Sequence, residues 1–342
     1  AVGSYTGDKL QINVGGQSVL LLSGETAQIS GSDANQLTIS IPDYAVPGET
    51  GLTFTDVKMT TPLFNVFEGT SSNASRDITL SGELRDGRLT LNLTPTYKSD
   101  IIGVWNLNLE TDDFGTATLT PISIETEQDI SGSQFIVQIL GALLKGSMAV
   151  VNIDFQADGN LTATYNSNLL NDMMPALSGE QISPVFVHSP LNAIKWYVKD
   201  GALYLVPNLN LMLKNDPSKA QLGPLDPGTI TTVGIPLYFK KEGDKMTVYV
   251  SKEQTAPVFG LLSTVISMID PSFELSLGGS SLPLRSLLEA LVKPLIDAAL
   301  AAERFDLCLN LVAGAIPEEA PQPSEEASAA AVKRLEAFIA QQ

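Results

Sequence analysis

Short runs of alternating apolar and polar residues dominate the first part of the chain. Leu10–Val14 (LQINV) is typical, and comparable runs recur about every ten residues as far as residue 97. Successive side chains of a strand point to opposite faces of its sheet, so these runs predict half-buried strands. Asp86-Gly87 separates two of them and favours a hairpin turn, because both residues tolerate positive φ. Residues 1–99 therefore predict an antiparallel β domain, either a sandwich or a barrel.

A second antiparallel β domain is predicted for residues 100–316. Hairpin turns are predicted at Asp158-Gly159, at Asp200-Gly201 and around Gly243, each between two apolar runs. Phe305–Val312 alternates again and is predicted as the closing strand. Residues 317–342 read as an acidic, Pro-rich linker followed by a short amphipathic helix.

Three segments of this second domain are apolar almost throughout and have lengths that suit helices: Phe135–Val151, Ala256–Ile269 and Leu282–Ala302. A helix that is apolar nearly all round has to be covered by protein, by lipid or by an apolar ligand. We expect the three to be inserted helices that plug or cover the second barrel. The sequence leaves open whether they close over a filled core or over a cavity.

None of these segments makes a good transmembrane span. A spanning helix needs ~20 apolar residues, and the first two segments are shorter. The third carries charges of alternating sign at four-residue spacing, namely Arg285, Glu289, Lys293 and Asp297. Charges at this spacing share one stripe of a helix, which indicates a helix with one edge in water. We therefore expect no transmembrane segment.

Composition and charge narrow the classes of partner. The chain is 44% hydrophobic and 17% charged, as globular proteins with substantial cores are. Its 20 basic and 38 acidic side chains give a net charge of −18. Such a balance repels phosphate backbones, so we expect no nucleic-acid partner.

The residues that most catalytic and metal sites require are scarce. The chain has one histidine, His188 in a Pro-flanked stretch, and one cysteine, Cys308 in an alternating apolar run. A lone cysteine of this kind is expected to be a buried hydrophobe. No phosphate-binding loop or nucleophile elbow is present in the sequence. We therefore predict a non-enzymatic protein without a metal site or a cofactor; a hydrolase with carboxylates that meet only in space is a third alternative.

Three aromatic residues are the candidates for ligand contact: Trp105, Trp196 and Tyr197. Alternation along a strand places only one member of the Trp196-Tyr197 pair outward. Core packing is the default expectation for both tryptophans.

Two motifs resemble known families. Gly103-Val104-Trp105 resembles the G-x-W of lipocalin-like barrels. The opening run from Ser4 to Gly16 looks like the first strand of calycin-like domains in exported proteins of Bacteroidetes, which are typically lipoproteins with two β units. The resemblance implies two calycin-like barrels and a place in the cell envelope, in the periplasm or at the outer membrane or cell surface. It also implies a lipid anchor on the full-length precursor, and the start at Ala1 suggests either a processed product or a trimmed chain.

These observations lead to two functional hypotheses. The leading one is an exported envelope protein that binds an apolar or amphipathic small ligand, such as a lipid. The alternative is a cell-surface module that binds a protein or a glycan, with both barrels filled by side chains.

Overall fold

The protein is mainly β structure. The computed structural model describes residues 2–19, 21, 24–61, 65–108, 121–126, 150–168, 172, 182–208, 230, 232–254, 274–277, 280–283, 285–286, 289–290 and 302–316. These residues form two curled, largely antiparallel sheets, each of which makes a half-barrel. The prediction of a mainly β chain with two β units is thereby confirmed.

The first unit is a nine-stranded sheet in the order β1-β4-β5-β6-β7-β8-β9-β2-β3. Strands β1 and β2 lie near opposite edges of this sheet, yet only the short 3-10 helix Gly7–Lys9 separates them in the chain. Three residues span at most ~11 Å, so the sheet has to curl until its edges approach each other. The strands are β1 (Gly3–Thr6), β2 (Leu10–Val14), β3 (Gln17–Ser18), β4 (Thr26–Ser30), β5 (Leu37–Ser40), β6 (Thr53–Thr61), β7 (Val66–Ser72), β8 (Arg76–Arg85) and β9 (Arg88–Tyr97).

One strand pair of this unit departs from the expected antiparallel pattern. β2 pairs with β9 in parallel, with Ile12 opposite Leu91. The inward residues of both strands join one core, in which Ile12, Phe54, Phe67 and Leu91 are fully buried. The outward positions of β8 and β9 are mostly exposed, so alternation along the strands separates core from solvent as the sequence predicts.

The second unit is a ten-stranded sheet in which β11 pairs with β21 beside the main path β14-β13-β12-β10-β21-β18-β17-β16-β15. The two ends of this sheet approach each other: Asn160, just before β13, forms an isolated bridge with Lys195 of the edge strand β15, and the Trp196 backbone N–H donates to the Gly159 carbonyl at 2.9 Å. The strands are β10 (Gly103–Leu107), β11 (Ile122–Thr126), β12 (Asn152–Phe155), β13 (Leu161–Asn166), β14 (Phe186–His188), β15 (Ile194–Lys199), β16 (Ala202–Pro207), β17 (Ile235–Glu242), β18 (Lys245–Val250) and β21 (Phe305–Ala313), with a separate hairpin of β19 (Glu274–Leu277) and β20 (Ser280–Pro283).

The two units meet where β9 ends. Tyr97 is the last residue of the first sheet, but its ring packs in the core of the second unit at 5.8 Å from Trp196, centroid to centroid. Its hydroxyl donates to the Pro47 carbonyl at 3.0 Å, and the Lys199 ammonium donates to the Gly48 carbonyl at 3.3 Å. The loop between β5 and β6 therefore binds the second unit directly.

The predicted helices fall largely outside the described residues. This applies to Ala256–Ile269, to residues 317–342 and to nearly all of Phe135–Val151. The start predicted for the third helix is wrong: Leu282 and Pro283 belong to β20, and Pro283 lies opposite Glu274. A proline is tolerated there because it ends a strand and its missing N–H removes no interior ladder bond.

Part of the predicted charge stripe is present in that third segment. Arg285 and Glu289 lie in helical conformation, and the Arg285 Nε donates to the Glu289 Oε1 at 3.0 Å. In the part of the chain that the structure describes, no helix has both the length and the apolar character needed to cross a bilayer.

Candidate functional site

Both tryptophans named as candidates lie in the core of the second unit. Trp105 on β10 is 3% exposed, and its indole N–H donates to the Ile101 carbonyl at 2.7 Å. Trp196 on β15 is fully buried and makes an edge-to-face contact with Phe155 at 5.4 Å between ring centroids. Each indole N–H has a backbone acceptor, that of Trp196 being Gln156 at 3.1 Å. The two tryptophans pack in the core, and their side chains are too deeply buried to contact a ligand.

Tyr197, the third candidate, points to the opposite face of the sheet. It stacks on Tyr204 across the β15–β16 ladder, with centroids 4.8 Å apart and planes inclined by 1°. Only 4% of the residue is exposed, because its ring lies under the backbone of Gly48, where an added Cβ would come within 2.5 Å of the ring. Its hydroxyl donates to the Val233 carbonyl at 2.6 Å. Burial, reinforced by the neighbouring Tyr204, raises the pKa of Tyr197 well above its usual value.

The core-facing side of the second sheet carries a set of apolar side chains that are only partly buried. They continue the core and are neighbours in register, because Val198 shares a row with Leu203 and Leu237, and Phe239 shares a row with Val248 and Leu309. We call the partly buried members the apolar face: Val198, Leu205, Leu237, Phe239 and Leu309. Because these side chains are only partly buried, each keeps some apolar surface open on that side of the sheet.

A polar groove lies on the outer face of the first unit. Its volume is about 600 Å³, within the range usual for small-molecule sites. Its lining is rich in hydroxyl, amide and charged groups and comprises Thr55, Asp56, Lys58, Glu68, Gly69, Thr70, Thr79, Leu80, Ser81, Asn92 and Thr94.

Strand register explains why these groups converge in the polar groove. Thr70, Thr79 and Thr94 occupy directly opposite positions on β7, β8 and β9, so their side chains form one row. Glu68 and Ser81 begin a second, parallel row, two residues along each strand. Rows of hydroxyls, each able to donate and to accept, suit a polyhydroxylated ligand.

A backbone irregularity borders the same groove. The β5–β6 register shifts between the pairs that Leu37 and Ile39 make, and Asp56 in this bulge has a φ of 57°. A positive φ is uncommon outside glycine, and aspartate is one of the residues that adopt it most readily. The bulge therefore lies beside the groove, and Asp56 is one of the residues that line it.

His188 and Cys308, the one histidine and the one cysteine of the chain, are both buried. His188 is 4% exposed, and its Nδ1 lies 3.2 Å from the hydroxyl of Thr164 within the sheet. Burial is the main cause that raises the pKa of the Cys308 thiol to about 11, which disfavours a nucleophilic thiolate. Among the described ranges, no group of three or more His, Cys, Asp or Glu side chains is placed to hold a metal ion.

Sequence reasoning named Tyr197 as a candidate, which stays a prediction, and it missed the polar groove, whose lining comes from four strands. The only signal was the outward position of each polar residue in its alternating run, and most outward polar residues of a sheet simply face water.

Comparison of the chain with models of protein families, with curated proteins and with solved structures gave no match.

Proposed function

We propose that the protein is a non-enzymatic binding protein whose second unit holds an apolar or amphipathic small molecule against the apolar face. The observation that supports this proposal is a set of partly buried apolar side chains on one side of β15, β16, β17 and β21, which the buried Leu203 and Val248 link in register. In the same unit, Trp105 and Trp196 pack in the deeper core. The fold of this unit therefore does not depend on a bound ligand.

The expected affinity follows from the size of the ligand. Each methylene removed from water contributes about 0.8 kcal/mol, so a ten-carbon chain supplies about 8 kcal/mol before the costs of binding are subtracted. That sum corresponds to a dissociation constant of about 1 µM at best. We therefore expect a reversible complex that survives gentle purification only in part.

Native mass spectrometry of protein purified from its own host tests the proposal. The expected result is an apolar adduct that organic extraction removes, and a dissociation constant in the micromolar range for N-phenyl-1-naphthylamine, a neutral apolar fluorophore. Leu237→Gln places an amide in the apolar face and is expected to weaken fluorophore binding about tenfold. Leu84→Gln is the matched control, because Leu84 is also a partly buried core residue but belongs to the first unit. Absence of both adduct and fluorophore binding would refute the proposal.

A second candidate function is glycan binding at the polar groove. It is favoured by a lining of hydroxyl and amide groups, and by a volume of about 600 Å³ that accommodates a short oligosaccharide. Thr79→Val keeps the shape of the side chain and removes a central hydroxyl. A glycan array on which the native protein fails to bind, or on which this variant binds as well as the native protein, would eliminate this candidate.

The proposed location is the bacterial cell envelope, with an exported, calycin-like protein held by a lipid on its full-length precursor. This proposal rests on the resemblance of the opening strand and of Gly103-Val104-Trp105 to those families. Metabolic labelling of the full-length gene product with radioactive palmitate tests it. The expected result is label in the membrane fraction; unlabelled protein confined to the cytosol would contradict it.

A further inference from the structure

The outer face of the second sheet carries a group of tyrosines, which we call the tyrosine face: Tyr197, Tyr204, Tyr238 and Tyr249. They lie on four successive strands, β15 to β18, so the group spans about 14 Å at the usual spacing of strands. This is the side of the sheet opposite to the apolar face.

Register makes the tyrosine face continuous. Tyr197 lies directly opposite Tyr204, and Tyr238 lies directly opposite Tyr249 with ring centroids 5.5 Å apart. Tyr204 lies opposite Pro236, and Pro236 is two residues before Tyr238 on β17. Tyr204 and Tyr238 are therefore diagonal neighbours, which connects the two tyrosine pairs. Tyr238 is 40% exposed, which leaves much of one large aromatic side chain open to a ligand.

Two lysines flank these rings. Lys199 belongs to the same row as Tyr238, through Ala202, and Lys240 lies over the ring of Tyr249 at 5.1 Å from its centroid. Within the part of the chain that the structure describes, neither ammonium group forms an ion pair. Both lysine side chains are in exposed residues of a chain whose net charge is −18.

We propose that the tyrosine face binds an acidic saccharide, with sugar rings on Tyr238 and Tyr249 and a sugar carboxylate at Lys240 or Lys199. Aromatic rings present flat surfaces to the C–H faces of sugar rings, and an ammonium group without a counter-ion complements a carboxylate. The net negative charge does not preclude this ligand, because charges more than about 8 Å away are largely screened at physiological ionic strength. The site is independent of the apolar-ligand proposal, since it lies on the other side of the sheet.

Titration calorimetry with tri-galacturonate tests the inference, and its fully methyl-esterified form is the control ligand. The two ligands have the same rings and hydroxyls and differ in charge. We expect the acid to bind about fivefold more tightly than the ester, and raised salt to diminish this difference. Since the comparison uses the native protein, it does not depend on the folding of a variant. Absence of acid binding at millimolar concentration, or equal binding of acid and ester, would overturn the inference.

Two substitutions assign the site. Lys240→Gln is expected to reduce acid binding about fivefold and to leave ester binding unchanged, whereas Tyr238→Ala is expected to weaken both ligands severalfold. Lys241→Gln is the matched control, because Lys241 is the next residue of β17 and points to the other face, 3.8 Å from the Asp100 carboxylate. Acid binding that Tyr238→Ala does not change, or that Lys241→Gln weakens as much as Lys240→Gln does, would contradict the placement on the tyrosine face.

Discussion

Gly159 and Gly201 permit a controlled test of the contact between the two units. Both follow an aspartate in a hairpin turn and both have a positive φ, 83° and 78°. A Cβ at position 159 would lie 2.6 Å from the ring of Tyr97, whereas a Cβ at position 201 would meet nothing within 4 Å. Alanine at either position therefore imposes backbone strain, but only Gly159→Ala also forces the ring of Tyr97 to move.

That ring has little freedom to move. Tyr97 packs beside Trp196 at 5.8 Å, and its hydroxyl is bonded to the Pro47 carbonyl. We expect backbone strain to cost about 1 kcal/mol in each variant, and overpacking to cost a further 1–3 kcal/mol, roughly, in Gly159→Ala alone. The difference between the two variants, about 1–3 kcal/mol, measures how tightly the junction is packed.

Urea unfolding followed by tryptophan fluorescence measures this difference. Both tryptophans of the chain lie in the second unit's core, so the signal reports the unit that Tyr97 enters. Equal free energies of unfolding for the two variants would refute the reasoning, because they would show that the ring of Tyr97 moves aside without any loss of stability. A loss in Gly201→Ala larger than that in Gly159→Ala would do so as well.

Three further predictions concern charges and the thiol. Glu49→Gln leaves the buried Arg76 guanidinium, which Glu49 holds through two hydrogen bonds of 2.7 Å, without its counter-charge and is expected to cost about 3 kcal/mol in chemical unfolding. The control Asp77→Asn removes the half-exposed Lys98 pair, which solvent screens, and is expected to cost much less than Glu49→Gln. The hydrogen bond from Lys98 holds the pKa of Asp77 below its usual value, so Lys98→Met should raise the pKa of Asp77 in a carboxyl titration by NMR. The stabilisation from this pair should fade as pH falls through the pKa of Asp77 in the native protein. An unchanged pKa of Asp77 in the variant would contradict the assignment. With a thiol pKa of about 11, Cys308 is a thiolate in about one molecule in a thousand at pH 8, so Ellman's reagent should react only after unfolding.

Strands with strict alternation and tight turns were predictable from the sequence. Leu10–Val14 is β2 as expected, and Asp86 and Gly87 have the positive φ values, 51° and 78°, that the predicted hairpin turn requires. The separation of Trp196 from Tyr197 to opposite faces also follows from alternation alone. These features are local, so short windows of sequence contain the information.

Other features depend on contacts between distant segments. Val66–Ser72 has a weak apolar pattern and becomes β7 because β6 and β8 lie on either side of it. The parallel pairing of β2 with β9 and the hairpin of β19 with β20 also depend on other segments, because the sequence of a strand does not determine which strand it pairs with. The polar groove and the tyrosine face were unpredictable for this reason: each assembles side chains from four strands, and register alone brings them together.

The junction between the units also bears on the tyrosine face. Gly48 and Pro47 belong to the first unit, yet Gly48 covers the ring of Tyr197, and Arg76 anchors the same loop through Glu49. Tyr197 in turn supports Tyr204 by stacking at 4.8 Å. The first unit therefore supports one end of the tyrosine face, at Tyr197, and leaves Tyr238 exposed at the other end. A change that loosens the loop, such as Glu49→Gln, should consequently weaken saccharide binding without touching any residue that contacts the saccharide, whereas binding at the apolar face should be unaffected.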